Sequence, residues 1–172
     1  MRLETERLIL RETTEQDFDA LYLVLADPAV MKFYPHDFDE ARVKRWIKRD
    51  KERYDTFGFG LWAVCLKSTE ELIGNCGLVM EQINGLIKPE IAYHIRGNMQ
   101  GKGYAKEAAI AVRNWTFQNT PFQTVYSCMN VKNIPSYHTA LSWGCKPVDE
   151  FEDERNGHMK VCALSREDWL RL

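Results

Sequence analysis

Between Leu61 and Ile95 three short apolar runs are separated by turns rather than by helices, and this constrains the architecture more than any other part of the chain. Leu61-Trp62-Ala63-Val64-Cys65-Leu66 is followed by a polar turn from Lys67 to Glu71, then Leu72 to Met80, then Asn84-Gly85, then Ile87 to Ile95. Asn-Gly readily adopts the positive φ angles of a two-residue hairpin, so the runs predict an antiparallel meander. Strands joined by hairpins exclude an all-parallel, doubly wound sheet.

Helical periodicity flanks the meander. Phe18, Leu21, Tyr22 and Leu25 recur at i, i+3, i+4 and i+7 behind Thr14 and Asp17, two residues suited to a helix start. A second helix is predicted from about Asp39 to Tyr54 with Val43, Trp46 and Ile47 inward; its seven Lys or Arg between Arg42 and Arg53 read as a solvated face. Ala105, Ala108, Val112 and Trp115 mark a third helix from Gly103 to about Asn119. Phe122 to Met129 reads as a strand, and Ser136 to Trp143 as a helix with Ser136 as its cap and Gly144 as its stop. Leu8-Ile9-Leu10 makes a first strand. Lys146 to Phe151 and His158 to Leu164 form a last hairpin around Asn156-Gly157, and Ser165 with Asp168 caps a final turn. The order predicts an α/β (α+β) fold with a mixed central sheet flanked by helices. With 172 residues and no repeat or linker, one domain over 1–172 is expected.

Composition removes several function classes. Twenty-three Lys and Arg against 25 Asp and Glu leave a net charge of −2, without the general basic field of a nucleic-acid binder. Five widely spaced cysteines with no C-x-x-C pair suggest neither a disulfide framework nor a zinc knuckle, and four histidines without H-x-x-x-H spacing suggest no metal. The first ten residues carry acids where a signal peptide is basic and then apolar, and charges interrupt every apolar stretch. A cytoplasmic protein with no membrane partner is expected.

The chemistry concentrates between Glu90 and Ala108, where a strand runs through Gly101-Lys102-Gly103 straight into a helix. Backbone N–H groups at such a helix start can converge on an anion while glycine keeps side chains out of the way. A nucleotide P-loop fails because Tyr104 stands where Ser or Thr is needed. A dinucleotide fingerprint fails at Lys106, with no acid ending a following strand. A tight strand-to-helix connection without a ligand remains open on the glycine pair alone.

Gln100-x-x-Gly103-x-Ala105 matches the Q/R-x-x-G-x-G/A motif of the GNAT superfamily of acyl-CoA-dependent N-acyltransferases, and the likeness extends in both directions. Glu6-Arg7-Leu8-Ile9-Leu10-Arg11 resembles the opening of its RimJ/RimL-like branch. Glu90-Ile91-Ala92-Tyr93-His94-Ile95 is similar to its E-I-G-Y-x-I strand, and Asn133-x-x-Ser136 followed by Gly144 to its N-x-x-S…G segment. The resemblance implies a GNAT-like, mostly antiparallel sheet with splayed mid-sheet strands, opened by a bulge near Arg96-Gly97. It implies acetyl transfer from acetyl-CoA, used as co-substrate without metal, to a primary amine that is a peptide N-terminus or a small molecule, in a monomer or homodimer.

The same resemblance assigns residues. The backbone of Tyr93, His94 and Ile95 pairs with the pantetheine arm, the loop Gln100, Gly101, Lys102, Gly103, Tyr104, Ala105 and Lys106 holds the diphosphate, and Asn133 meets the pantetheine amide or nearby backbone. A backbone N–H from His94 or Ile95 faces the oxyanion. Glu90 is the first candidate for the base that a primary amine requires, with an exposed strand-end carboxylate as the alternative. Many relatives carry an acidic tyrosine at the position of Ala140; Ser136 is the substitute and Tyr137 the second choice. That departure also allows a non-catalytic acyl-CoA-binding sensor. The aromatic stretch Phe33, Tyr34, Pro35, His36 and Phe38 either walls an acceptor pocket or covers the core, and His94 reads as a packed histidine. The acids from Asp149 to Glu154 form a solvated loop or attract a cationic acceptor.

Overall fold

The computed structural model describes residues 2–172. Eight strands form one sheet in the order β1-β2-β3-β4-β5-β6-β8-β7. Its first half holds β1 (Arg2–Glu4), β2 (Leu8–Arg11), β3 (Leu61–Leu66), β4 (Leu72–Ile83) and β5 (Leu86–Ile95), each antiparallel to the next. The second half holds β6 (Thr124–Asn130), β7 (Lys146–Asp153) and β8 (Gly157–Ser165), also antiparallel. The two halves meet at β5 and β6, the parallel pair, which are in register at Glu90 and Tyr126.

The meander follows from its turns. Asn84 and Gly85 both adopt positive φ, 48° and 76°, so Ile83 lies opposite Leu86 and the ladder continues without a shift to Gly74 opposite Ile95. The expected bulge at Arg96-Gly97 is absent. β5 stops at Ile95, a 3-10 turn covers Gly97–Met99, and register shifts fall instead at Val64/Cys65 and Pro147/Asp149. The opening in the sheet therefore comes from β5 and β6 diverging, not from an extra residue.

Helices cover both faces. On one face α1 (Phe18–Leu25) and α2 (Glu40–Phe57) bury Leu21, Leu25, Val43 and Ile47 against Ala63, Cys65 and Leu72. The other face carries α3 (Tyr104–Asn119) and α4 (Ile134–Ser142), which place Ala108, Ala109, Val112 and Ala140 against Trp62, Val64, Ile91 and Ile95. Alternation along the strands thus assigns each side chain to a face. Asp39 accepts a hydrogen bond from the Arg42 N–H to start α2, and Gly58 (φ 74°) ends it, one turn beyond the expected Tyr54. Ser165 caps the short α5 (Arg166–Trp169) by accepting from the Asp168 N–H.

Two further expectations differ from the structure. The chain opens with an additional edge strand, β1, hydrogen-bonded to β2. The helix expected to begin at Ser136 begins at Ile134, and Asn133 is its cap, its Oδ1 accepting from the Ser136 N–H at 3.3 Å. No described helix is long and apolar enough to cross a membrane, and no group of three His, Cys, Asp or Glu side chains among the described residues could hold a metal ion.

Candidate active site

Where β5 and β6 part, a cavity of about 760 Å³ opens, lined from β5 by Glu90, Ala92, Tyr93, His94 and Ile95 and from β6 by Ser127 to Asn130. Both strands run toward it, so the segments that follow them, the glycine loop after β5 and the start of α4 after β6, lie at its mouth. Gln100, Gly101, Gly103, Tyr104, Ala105, Lys106, Asn133 and Ser136 also line it.

The loop is shaped for an anion. Gly101 and Gly103 adopt φ of 75° and 82°, the left-handed region that favours glycine. Gly103 is the residue before α3, and the first backbone bond of that helix runs from the Glu107 N–H to the Gly103 carbonyl at 3.0 Å. The N–H groups of Tyr104, Ala105 and Lys106 therefore have no helical acceptor, and they stand at the positive end of the helix dipole. Arg7 holds the loop in place, pairing with Glu107 (2.7 Å), donating to the Lys102 carbonyl (3.0 Å) and lying over the Tyr104 ring. Gln100 Nε2 donates to the Ile95 carbonyl at 2.9 Å, fixing the loop to the end of β5. Lys102 lies outside the cavity lining, near the Met99 sulfur, so of the two loop lysines Lys106 is the one that lines the cavity.

Two chemically distinct groups occupy the two faces of the opening. Ile91, Tyr93 and Ile95 belong to the α3/α4 side, and Glu90 alternates to the α1/α2 side. Glu90 Oε1 accepts from the Cys128 N–H at 2.9 Å, bridging the strands where their own ladder ends. Burial pushes its carboxyl up to about 8, with Glu81 acting in the same direction and the Cys128 bond and Arg53 opposing. Glu81 is its diagonal neighbour, since Val79 lies opposite Glu90.

On the other side the Tyr93 hydroxyl donates to the Ser136 carbonyl (2.9 Å), and Ser136 Oγ lies 3.4 Å from the same hydroxyl. Burial holds the Tyr93 phenol above its usual range, so it stays protonated. Ala140 is fully buried and offers no polar group. Tyr137, the second candidate acid, is outside the cavity lining; it packs against the core with Lys160 Nζ 5.1 Å from its ring centre. Consecutive helical residues point about 100° apart, and the neighbour of Ser136 accordingly faces elsewhere.

The aromatic stretch divides between the core and the cavity. Phe38 is buried in the α1/α2 core, and Phe33, Tyr34, Pro35 and His36 line the cavity. His94 anchors that wall: its Nδ1 lies 2.7 Å from Asn75 Oδ1 and its Nε2 2.7 Å from the Tyr34 hydroxyl. Facing a carbonyl oxygen, Nδ1 carries the proton, and Nε2 accepts from Tyr34. Burial lowers the His94 pKa to about 4, so this packed histidine is neutral at ordinary pH. Tyr34→Phe is expected to lower stability by about 1–3 kcal/mol, because it strands a buried acceptor; urea unfolding reads this, and a loss below the error of the method would contradict the anchor. None of the acids from Asp149 to Glu154 lines the cavity; Glu150 and Glu152 pair with His158 across their own hairpin.

Residues 7–146 match the model of the Acetyltransferase (GNAT) domain. The chain belongs to the GNAT acetyltransferase family. The chain is 31% identical over 144 residues to the uncharacterized protein YkkB of Bacillus subtilis (83% of this chain, 84% of that one). It is 29% identical over 171 residues to the uncharacterized N-acetyltransferase YnaD of the same organism (98% and 92%). A solved structure of RimL, the ribosomal L7/L12 alpha-N-protein acetyltransferase, in complex with coenzyme A shares the GNAT fold with a TM-score of 0.80 at 15% identity (96% and 98%). Members of this family use acetyl-CoA, and the sheet opening, the glycine loop and the unpaired N–H groups of α3 fit such a co-substrate.

Proposed function

We propose that this GNAT acetyltransferase, of the RimJ/RimL-like branch, moves acetyl from acetyl-CoA directly to a primary amine, a peptide N-terminus or a small molecule. The observation that carries the reading is the opening between β5 and β6, which has Glu90 on one face and the Tyr93–Ser136 hydroxyl pair on the other. Acetyl-CoA supplies the thioester. The N–H groups at the start of α3 and Lys106 bind its diphosphate, and the β5 backbone from Tyr93 to Ile95 takes the pantetheine arm as an added strand. Asn133 Nδ2, with no protein acceptor among the described residues, meets a carbonyl of that arm.

The division between faces supports direct transfer. An amine arriving from the α1/α2 side meets Glu90, which takes its proton directly or through one water. The His94 or Ile95 N–H faces the acetyl oxygen as negative charge develops there. The departing thiolate leaves on the α3/α4 side, where the Ser136 hydroxyl turns from the Tyr93 oxygen, to which it donates at rest, gives its proton to the sulfur and regains one from solvent. No covalent enzyme intermediate is needed: burial raises the Cys128 thiol to about 12, so it carries almost no thiolate at neutral pH.

Thiol release from acetyl-CoA, measured over a panel of amines and peptides, tests the proposal. Coenzyme binding without release on any amine would contradict it. Ser136→Ala is expected to lower kcat roughly tenfold or more with acetyl-CoA affinity nearly unchanged. An unchanged kcat would remove Ser136 from the chemistry and transfer the test to Tyr93→Phe.

A further inference from the structure

The cationic run on α2 divides into two stripes. Lys44, Lys48 and Lys51 point outward and pair with Glu40, Glu52 and Glu15. Arg42, Trp46, Arg49 and Arg53, at i, i+4, i+7 and i+11, share the stripe that lines the cavity. Arg53 is compensated by Asp50 and Glu81, at 3.2 and 2.6 Å. Arg42 and Arg49 have no carboxylate within ion-pair distance among the described residues; their guanidinium carbons lie over aromatic rings, 3.9 Å from the Phe38 centre and 4.8 Å from that of Trp46. Arg42 gives one N–H to the Asp37 carbonyl at 3.0 Å, so its remaining edge donors and those of Arg49 are the ones left for a planar anion.

The two arginines belong to the acceptor side. α2 packs on the sheet face opposite α3, so they are remote from the diphosphate loop. The Tyr34 hydroxyl lies within electrostatic reach of Arg42, Arg49, Glu81 and Glu90 together. The α1/α2 half of the cavity is thus a bipolar pocket with the Glu90 carboxyl as its floor beside Glu81, a guanidinium rim at Arg42 and Arg49, and aromatic walls from Tyr34 and Trp46. A purely cationic amine is repelled by that rim, and an amine bearing its own anion satisfies both ends.

We propose that the acceptor is an amine that also carries a carboxylate, its amino group meeting Glu90 and its carboxylate taken by Arg49 and Arg42. The inference rests on the reading of this cavity as the site of acetyl transfer to an amine. Free amino acids and peptide N-termini followed by an acidic residue share this chemistry, and the experiment separates them.

Binding to the protein–coenzyme A complex is measured by calorimetry for two matched pairs: γ-aminobutyrate with its amide, and the C-terminally amidated dipeptides Ala-Asp and Ala-Asn. The carboxylate member of at least one pair is expected to bind roughly tenfold more tightly, the scale of one charge-assisted hydrogen bond. The pair that discriminates identifies the source. Arg49→Gln is expected to remove the difference and Arg49→Lys to restore part of it, with circular dichroism confirming the fold of both. Equal binding within both pairs, absence of binding by either carboxylate, or a difference that survives Arg42→Gln/Arg49→Gln overturns the inference. The same amines with acetyl-CoA then separate the two levels. Selective binding without thiol release contradicts acetyl transfer and upholds the anion site, whereas turnover with no carboxylate preference contradicts the anion site alone.

Discussion

Glu90→Gln is expected to lower kcat/KM by roughly 10²- to 10⁴-fold, the usual contribution of a positioned base, while acetyl-CoA binds as before. Gln keeps an oxygen for the Cys128 N–H, so the strand junction survives and the loss falls on proton removal. The pH profile supplies a second signature. A base with its pKa near 8 is charged only above that value, so wild-type kcat/KM rises with pH through about 8. The variant loses this limb and keeps only the slope set by the amine itself, near pH 10.

Stability provides an independent sign. The folded protein keeps the Glu90 proton up to about pH 8, whereas an unfolded glutamate releases it near its model value of 4.5. The native state therefore binds more protons in that window, and the stability this group contributes, full below about 4.5, is lost as pH rises to 8. Glu90→Gln is consequently expected to gain on the wild type in melting temperature between pH 5 and about 9. A parallel pair of pH–stability curves would show that the Glu90 carboxyl is not desolvated in the folded protein.

Gly103→Val is expected to weaken acetyl-CoA binding by roughly 100-fold or more, about 2.7 kcal/mol. Valine in the left-handed region costs about 1–2 kcal/mol in backbone energy, more for a β-branched residue, and the loop relaxes away from the geometry that aims its N–H groups. A Cβ here would also lie 3.4 Å from the Arg7 guanidinium that holds the loop. Equilibrium binding of acetyl-CoA reads the loss; Gly103→Ala, with the strain and a smaller side chain, is expected to fall between the two. Retained affinity in Gly103→Val would remove the loop from diphosphate binding.

Much of the fold is legible because local chemistry decided it. Asn84-Gly85 fixes a two-residue turn, and counting back from Ile83 opposite Leu86 places Glu81 against Lys88 and Val79 against Glu90. The register, and with it the Glu81–Glu90 proximity that the sequence reading overlooked, was therefore available in the turn. The start of α4 was available too: Pro135 belongs in a helix's first turn, which favours Asn133 over Ser136 as the cap.

Other features depend on long-range packing that periodicity does not carry. Asn75, His94 and Tyr34 meet across 19 and 60 residues of chain separation. The side chain of Tyr93 joins the site only because α4 lays Ser136 against it. The stripe of Arg42, Trp46 and Arg49 is visible as a helical period, but what it faces is set by how α2 lies on the sheet.

Backbone amide hydrogen exchange with and without acetyl-CoA reads the co-substrate contacts at the particular N–H groups that hold it. Protection is predicted in two segments, the end of β5 from Ala92 to Ile95 and the loop and helix start from Gly101 to Lys106, and is predicted to vanish from both in Gly103→Val. Binding that protects neither segment, or protects them equally in the variant, would contradict this placement of the co-substrate.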